Sequence, residues 1–178
     1  MFGIDEKYGN FPIIKAEFKD FIMKEQSTSF NEDAMMSIDI LMSKGDNHLS
    51  TSEGGWQSLS NLNADEDNRI IIERISHILK DTRLFQFERI SCVRMWATVT
   101  PKNAKVIPHR HGADCHLSVV YFLQSPEDEQ FLQFASGHNF KPKSGDCFIF
   151  SNSLAHLSLT NKNKLTRFTY NFDFKVKQ

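Results

Sequence analysis

The chain has 178 residues and a formal net charge of −1, with no Lys/Arg block. That length suits a single domain with a sizeable core, and the charge balance excludes a nucleic-acid module built on a broad basic face. No apolar run is long enough to span a bilayer, and residues 1–10 lack the charged-then-apolar shape of a signal peptide, so a soluble cytoplasmic protein with no membrane partner is expected. The cysteines are Cys92, Cys115 and Cys147, an odd number without a CxxC, which fits a reducing compartment better than a disulfide framework.

Taken in chain order, NEDAMMSIDILMSKGD predicts a helix with Asn31 as N-cap, Glu32 and Asp33 in the first turn and Gly45 at the stop. STSEGGWQSLSN is a polar, Gly-containing loop around Trp56, which reads as a packing anchor. DEDNRIIIERISHILKD predicts a second helix from about Asp65. Its Ile71, Ile75, Ile78 and Leu79 recur at helical spacing, and its acidic start and Lys80 agree with the helix dipole. After Phe87 the pattern changes to short runs rich in β-branched and aromatic residues: ISCVRMWATVT, LSVVYFL, FLQF, CFIF, HLSLT and RFTYNFDFKV. Turns at TPKNAK, SPEDEQ, PKSGD and NKNK separate them. The last run alternates Phe168, Tyr170, Phe172 and Phe174 with polar residues. Such strands suggest a sandwich or barrel, and the sixteen Phe residues suggest an interior filled by rings. The expected organisation is one domain, with a helical part over 1–87 packed outside a β core over 88–178.

The chemistry-bearing residues lie in the β half. His109 and His111 stand two apart in PHRHGADCHLSVVYFL, His156 follows the Gly145–Asp146 turn, and Arg167 comes one strand later. Alternate strand residues share a face, so His109 and His111 can both point inward. Imidazole suits iron, zinc, copper and nickel alike, and the arginine offers a fixed fork for a carboxylate. Read singly, each residue has a blander account: a surface turn after Pro108, a buried structural histidine, a solvated strand arginine. Their order along the chain favours a metal and an acidic ligand. His48, His77, His116 and His138 are expected to be non-ligands, Cys115 has no ligand spacing, and Asp146 reads as a turn residue.

With GGWQS at 54–58, HRH at 109–111, LSVVYF at 117–122, and an ending from Gly145 and Asp146 through Phe150 and His156 to Arg167, the chain resembles the 2-oxoglutarate- and iron(II)-dependent oxygenases. It is similar to the small group often found in phages and marine bacteria. The resemblance covers about residue 50 to the C-terminus. It implies a double-stranded β-helix, or jelly roll, with packed N-terminal helices in a mainly β chain. It implies Fe(II), 2-oxoglutarate as cosubstrate, O2, and a dioxygenase activity, most simply hydroxylation, on an unknown substrate. Carried over residue by residue, it implies His109 as first ligand, His156 as distal ligand, Arg167 on the far carboxylate of 2-oxoglutarate, and Tyr121 on that same carboxylate.

One departure stands out. The superfamily pairs two histidines with a carboxylate, and this chain has His111 at the carboxylate position. Either His109, His111 and His156 hold the metal, or the HGAD loop curls so that Asp114 supplies the third ligand. Period-two geometry favours His111. A three-histidine set carries one more positive charge than the usual set. Two rival readings stay open: a cupin-like metal enzyme that does not use 2-oxoglutarate, and a non-catalytic jelly-roll binding protein. A homodimer is also left open.

Overall fold

A computed structural model describes residues 2–4, 12–17, 27–45, 47–48, 50–81, 88–126 and 131–177. In chain order the strands are β1 (Phe2–Ile4), β2 (Pro12–Glu17), β3 (Ser52–Glu53), β4 (Trp56–Gln57), β5 (Arg89–Thr100), β6 (Lys105–His109), β7 (Leu117–Gln124), β8 (Leu132–Phe134), β9 (Asn139–Phe140), β10 (Asp146–Ser151), β11 (His156–Ser158) and β12 (Arg167–Lys177). The helices are α1 (Ser27–Ser43) and α2 (Arg69–Asp81). The strands form a seven-stranded sheet, β1-β2-β10-β7-β12-β5-β4, and a five-stranded sheet, β3-β6-β11-β8-β9. Their named pairings are antiparallel. This is the jelly-roll sandwich expected of the β half.

The central strands β7, β10 and β12 of the larger sheet are buried on both faces over most of their length, and strand alternation sorts their side chains cleanly. On the outer face, Val119 and Tyr121 of β7, Ile149 of β10, and Phe172 and Phe174 of β12 pack with Ile38 of α1 and with Ile71, Ile75 and Leu79 of α2. All four helix side chains are fully buried, each a gain of about 1.5–3 kcal/mol over exposure. On the inner face, Val120, Phe122, Phe148 and Phe150 meet Phe131, Leu132 and Phe134. The rings therefore do not simply fill the sandwich. Those of the β12 alternation face the helices, and a separate phenylalanine set lies between the sheets.

Three boundaries differ from the sequence expectation. α1 begins at Ser27, not Asn31. Asn31 sits inside the helix, where its amide donates to Leu123 O at 3.1 Å and accepts from the Tyr121 hydroxyl at 2.7 Å. The acidic stretch before α2 forms two 3-10 turns over Leu62–Ala64 and Glu66–Asn68, and Asp65 caps the second by accepting from Asp67 N at 3.1 Å. The first half also contributes strands: β2 pairs along β10 and extends the larger sheet, a long-range pairing invisible to local periodicity. Of the turn at 125–130, everything beyond Pro126 lies outside the described residues, as does the boundary expected at residue 87.

GGWQS has a structural explanation. It carries the chain from the smaller sheet at β3 to the larger at β4, across the backbone of β5. A Cβ at Gly55 would sit 2.4 Å from Val99 O and 2.6 Å from Ser52 Oγ, so only glycine lets the chain lie this close. Trp56 is buried in the helix-side core, the packing anchor expected of it.

Among the described residues, no helix is long and apolar enough to cross a membrane.

Candidate metal centre

β6 and β11 pair antiparallel in a register that sets His109 directly opposite His156. Their ring centroids are 4.3 Å apart. His111 lies two residues past the end of β6, where its N–H donates to Asn152 O at 2.9 Å. That bond continues the inward alternation beyond the strand and brings the His111 ring to 5.3 Å from both of the others. One ligand atom from each imidazole lies within 4.8 Å of the other two. Among the described residues this is the only trio of metal-binding side chains that converges so closely.

The hydrogen bonds decide which ring nitrogens face inward. His109 Nδ1 is 2.9 Å from Ile107 O and His156 Nδ1 is 3.2 Å from Leu154 O. A carbonyl only accepts, so both Nδ1 atoms carry hydrogen and both Nε2 atoms carry lone pairs. Burial lowers the pKa of His109 and lowers that of His156 well below its ordinary value, so both are neutral at pH 7. His111 Nδ1 is 2.5 Å from Asp173 Oδ1. Its Nε2 is buried and has no hydrogen-bond partner among the described residues. A buried nitrogen without a partner is costly, and a metal ion among the three Nε2 atoms would satisfy it. The donor set of three imidazoles therefore fits a borderline transition metal such as Fe(II).

The pocket beside the triad is lined by His109, His156, Thr98, Thr169, Asn171 and Arg167, among others. Arg167 opens β12 and is 2% exposed. One guanidinium nitrogen donates to Leu159 O at 2.7 Å, and its carbon lies 4.2 Å over the Phe131 ring. These contacts hold a fixed fork in the same cavity as the His109 and His156 imidazoles. The wall between is polar: Asn171 donates to Thr98 Oγ1 at 3.0 Å and to Thr169 Oγ1 at 3.3 Å. Phe150 and Phe134 close the side behind His156, at centroid distances of 4.7 and 5.9 Å. Wider grooves lie on the helix side, one lined by Asp65, Glu73, His77 and Cys92, but among the described residues no ligand trio converges in them.

Two expectations from the sequence are corrected. Tyr121 does not line the pocket: its neighbours Val120 and Phe122 do, and Tyr121 faces the helices and bonds Asn31. Tyr121→Phe is thus expected to cost about 1 kcal/mol in thermal unfolding and to leave any 2-oxoglutarate affinity unchanged in a parallel titration. Asp114 does not join the triad either. Its side chain is 64% exposed and takes the Arg94 guanidinium at 3.0 and 3.1 Å.

The residues expected to be non-ligands lie apart from the trio. His116 Nδ1 accepts from Val176 N at 3.1 Å. Burial pushes the Cys115 thiol up to about 11, so it is no thiolate.

Asp173, Arg94 and Trp96 escaped the sequence reading. Asp173 lies on the inner face of β12 and is 1% exposed. It accepts from His111, from Ser118 Oγ at 2.9 Å and from Arg94 Nε at 2.8 Å. Burial raises its pKa, but the His111, Arg94 and Ser118 contacts outweigh burial and hold it below the ordinary carboxylate value. The signal was present as an acid between Phe172 and Phe174, since a charge in an apolar strand needs a partner. Trp96 packs 5.4 Å from His111, centroid to centroid.

No protein-family model matches the chain, and neither does any curated protein. Solved structures do share its fold. The viral collagen prolyl hydroxylase vCPH from Paramecium Bursaria Chlorella virus-1, solved as a 2OG complex, matches with a TM-score of 0.65 and 14% identity, over 98% of this chain and 99% of that one. HygX from Streptomyces hygroscopicus, solved with nickel and 2-oxoglutarate bound, matches with a TM-score of 0.66 and 11% identity, over 94% and 83% of the two chains. The non-heme alpha-ketoglutarate-dependent carbocyclase SnoK from nogalamycin biosynthesis matches with a TM-score of 0.71 and 10% identity, over 93% and 79%. The chain has the jelly-roll fold of the 2-oxoglutarate- and Fe(II)-dependent oxygenases.

Proposed function

We propose that this protein is an Fe(II)- and 2-oxoglutarate-dependent dioxygenase, working as a hydroxylase. The observation that carries the reading is a trio of converging imidazoles, two of which, His109 and His156, line the same cavity as a buried guanidinium. A metal alone would need only the first. A dicarboxylate cosubstrate chelating at its keto-acid end would need both, because its distal carboxylate must meet a cation away from water. His109, His111 and His156 would hold the iron, and Arg167 the distal carboxylate. The bound pair supplies oxidative decarboxylation of 2-oxoglutarate to succinate and CO2, one O2 oxygen entering succinate and the other a substrate C–H bond. The chain supplies position and a dry pocket. Thr98, Thr169 and Asn171 would give the cosubstrate's flank hydrogen-bonding groups, while Phe134 and Phe150 would shield the His156 ring from water.

The substrate class is open. A prolyl side chain is the first to assay, because vCPH is a prolyl hydroxylase of the same fold, which is analogy alone. The free thiols of Cys92, Cys115 and Cys147 fit work in a reducing cytoplasm. The lack of a carboxylate in the trio favours a second reading, a cupin-like three-histidine metal enzyme that ignores 2-oxoglutarate.

Anaerobic titration of apo-protein with iron(II) and then 2-oxoglutarate separates the two. A visible metal-to-ligand charge-transfer band on adding the keto acid is the expected result. Iron binding without the band supports the cupin-like reading, and no iron binding leaves a jelly-roll scaffold.

A further inference from the structure

We infer that Asp173 is a positioning residue that supplies, from one hydrogen bond behind the metal, the negative charge missing from the ligand ring. The inference rests on the reading that the three histidines hold a metal. The backing of the imidazoles is asymmetric. His109 and His156 lean on backbone carbonyls, whereas His111 leans on a carboxylate. His111 is also the residue that stands where the superfamily places its ligand carboxylate. The acid has thus moved outward by the width of one imidazole, from the chain's HxH segment to β12.

Geometry suits the role. Asp173 Oδ1 takes His111 Nδ1 and Ser118 Oγ, and Oδ2 takes Arg94 at 2.7 Å, so the carboxylate is clamped on both oxygens. A carboxylate accepting from Nδ1–H fixes the tautomer, makes Nε2 a stronger donor to the metal and offsets part of its charge through a low-dielectric wall. Arg94 would cancel that charge if it belonged to Asp173 alone. It is shared with Asp114, which holds two of its nitrogens. One guanidinium between two carboxylates leaves one negative charge over, and the buried end of the chain of contacts faces His111. Asp114 therefore serves the site without touching the metal.

The rival account is that Asp173 and Arg94 merely tie the HGAD loop to the sheet. Titration of apo-protein with cobalt(II), followed by its visible d–d bands, tells the two apart when each variant's folding is checked by thermal melts. Wild type is expected to bind cobalt(II). Asp173→Asn, which keeps the shape and loses the charge, is expected to bind about 10–100-fold more weakly, with shifted bands. Asp114→Asn leaves Arg94 to Asp173 alone and should also weaken binding, but by less than Asp173→Asn, because solvent screens the exposed Asp114 carboxylate.

The charge role also predicts a reversal of sign. His111→Asp alone sets two carboxylates against each other and should bind cobalt(II) poorly, and adding Asp173→Asn to it should restore binding. A loop tether would give no such rescue. This second comparison decides the matter if Asp173→Asn alone fails to fold. Wild-type affinity and unshifted bands in Asp173→Asn, or no rescue in the double variant, overturn the role of Asp173 and leave the metal site standing. No cobalt(II) binding by wild type overturns both.

Discussion

Replacing His156 by alanine is expected to weaken iron(II) binding by roughly a hundred- to a thousand-fold and to abolish the keto-acid charge-transfer band. Structural zinc sites with four ligands gain about 10–16 kcal/mol from the metal, so one ligand carries about 2.5–4 kcal/mol. His156 should sit at the upper end. It is 6% exposed, its Nδ1–H is committed to Leu154 O, and Phe150 and Phe134 flank its ring, so little rotamer freedom opposes binding. Among the described residues no fourth side chain joins the trio to substitute, and its other members already offer one ligand atom each. The same substitution leaves a small cavity beside those rings and will lower the melting temperature. Iron affinity measured by anaerobic calorimetry on the folded fraction separates the two effects. Iron binding at wild-type strength in His156→Ala would remove the basis for a metal centre here.

Arg167→Ala is expected to leave iron(II) binding close to wild type and to remove the response to 2-oxoglutarate. Truncating one partner of a buried, hydrogen-bonded charge pair costs about 2–5 kcal/mol, roughly thirty- to several-thousand-fold in cosubstrate affinity. Arg167→Lys should recover only part of this, since an ammonium cannot reproduce the planar fork. Part of the loss will come from the guanidinium's own anchors, the Leu159 carbonyl and the Phe131 ring, which hold it in place before any ligand arrives. The readout is the iron-dependent band titrated with 2-oxoglutarate and with pyruvate. Pyruvate has the keto acid but no distal carboxylate, so its weak binding should be indifferent to the substitution. Equal sensitivity of both acids would place Arg167 in the fold's support.

The histidines were legible because their meaning survives without knowing the fold. Two histidines in alternation and a third on a later strand point to convergence, and the register of β6 with β11 brings His109 and His156 together. The place of Arg167 in the cavity beside His109 and His156 was legible for a similar reason, as a basic residue opening a strand of aromatic alternation. Tyr121 was not. LSVVYFL is apolar throughout, so period two says that neighbours oppose each other but not which face meets the helices. Asp173 was hidden by the same ambiguity in reverse. A polar face opposite an aromatic one is normally the wet face, yet in β12 both faces are buried and the polar one lines the cavity. The N-terminal strands went unseen because β2 is completed by β10, far along the chain. GGWQS was visible as a motif, but its cause, the closeness of Gly55 to Val99 O, is a property of the packed backbone.

β12 carries Arg167 and Asp173 on one face and the helix-contacting rings on the other. One residue gained or lost between those two anchors would send one of them into the apolar layer against α1 and α2 and bring a phenylalanine into the cavity. Two residues gained would keep the faces but slide one anchor by about 7 Å along the strand, too far for a single cavity to serve both. Relatives that keep this chemistry should therefore differ along β12 by substitution only and take up changes of chain length in the turn at 161–164 that precedes it. A relative with an odd-length change inside the strand will have kept the fold and turned one of the two anchors away from the other.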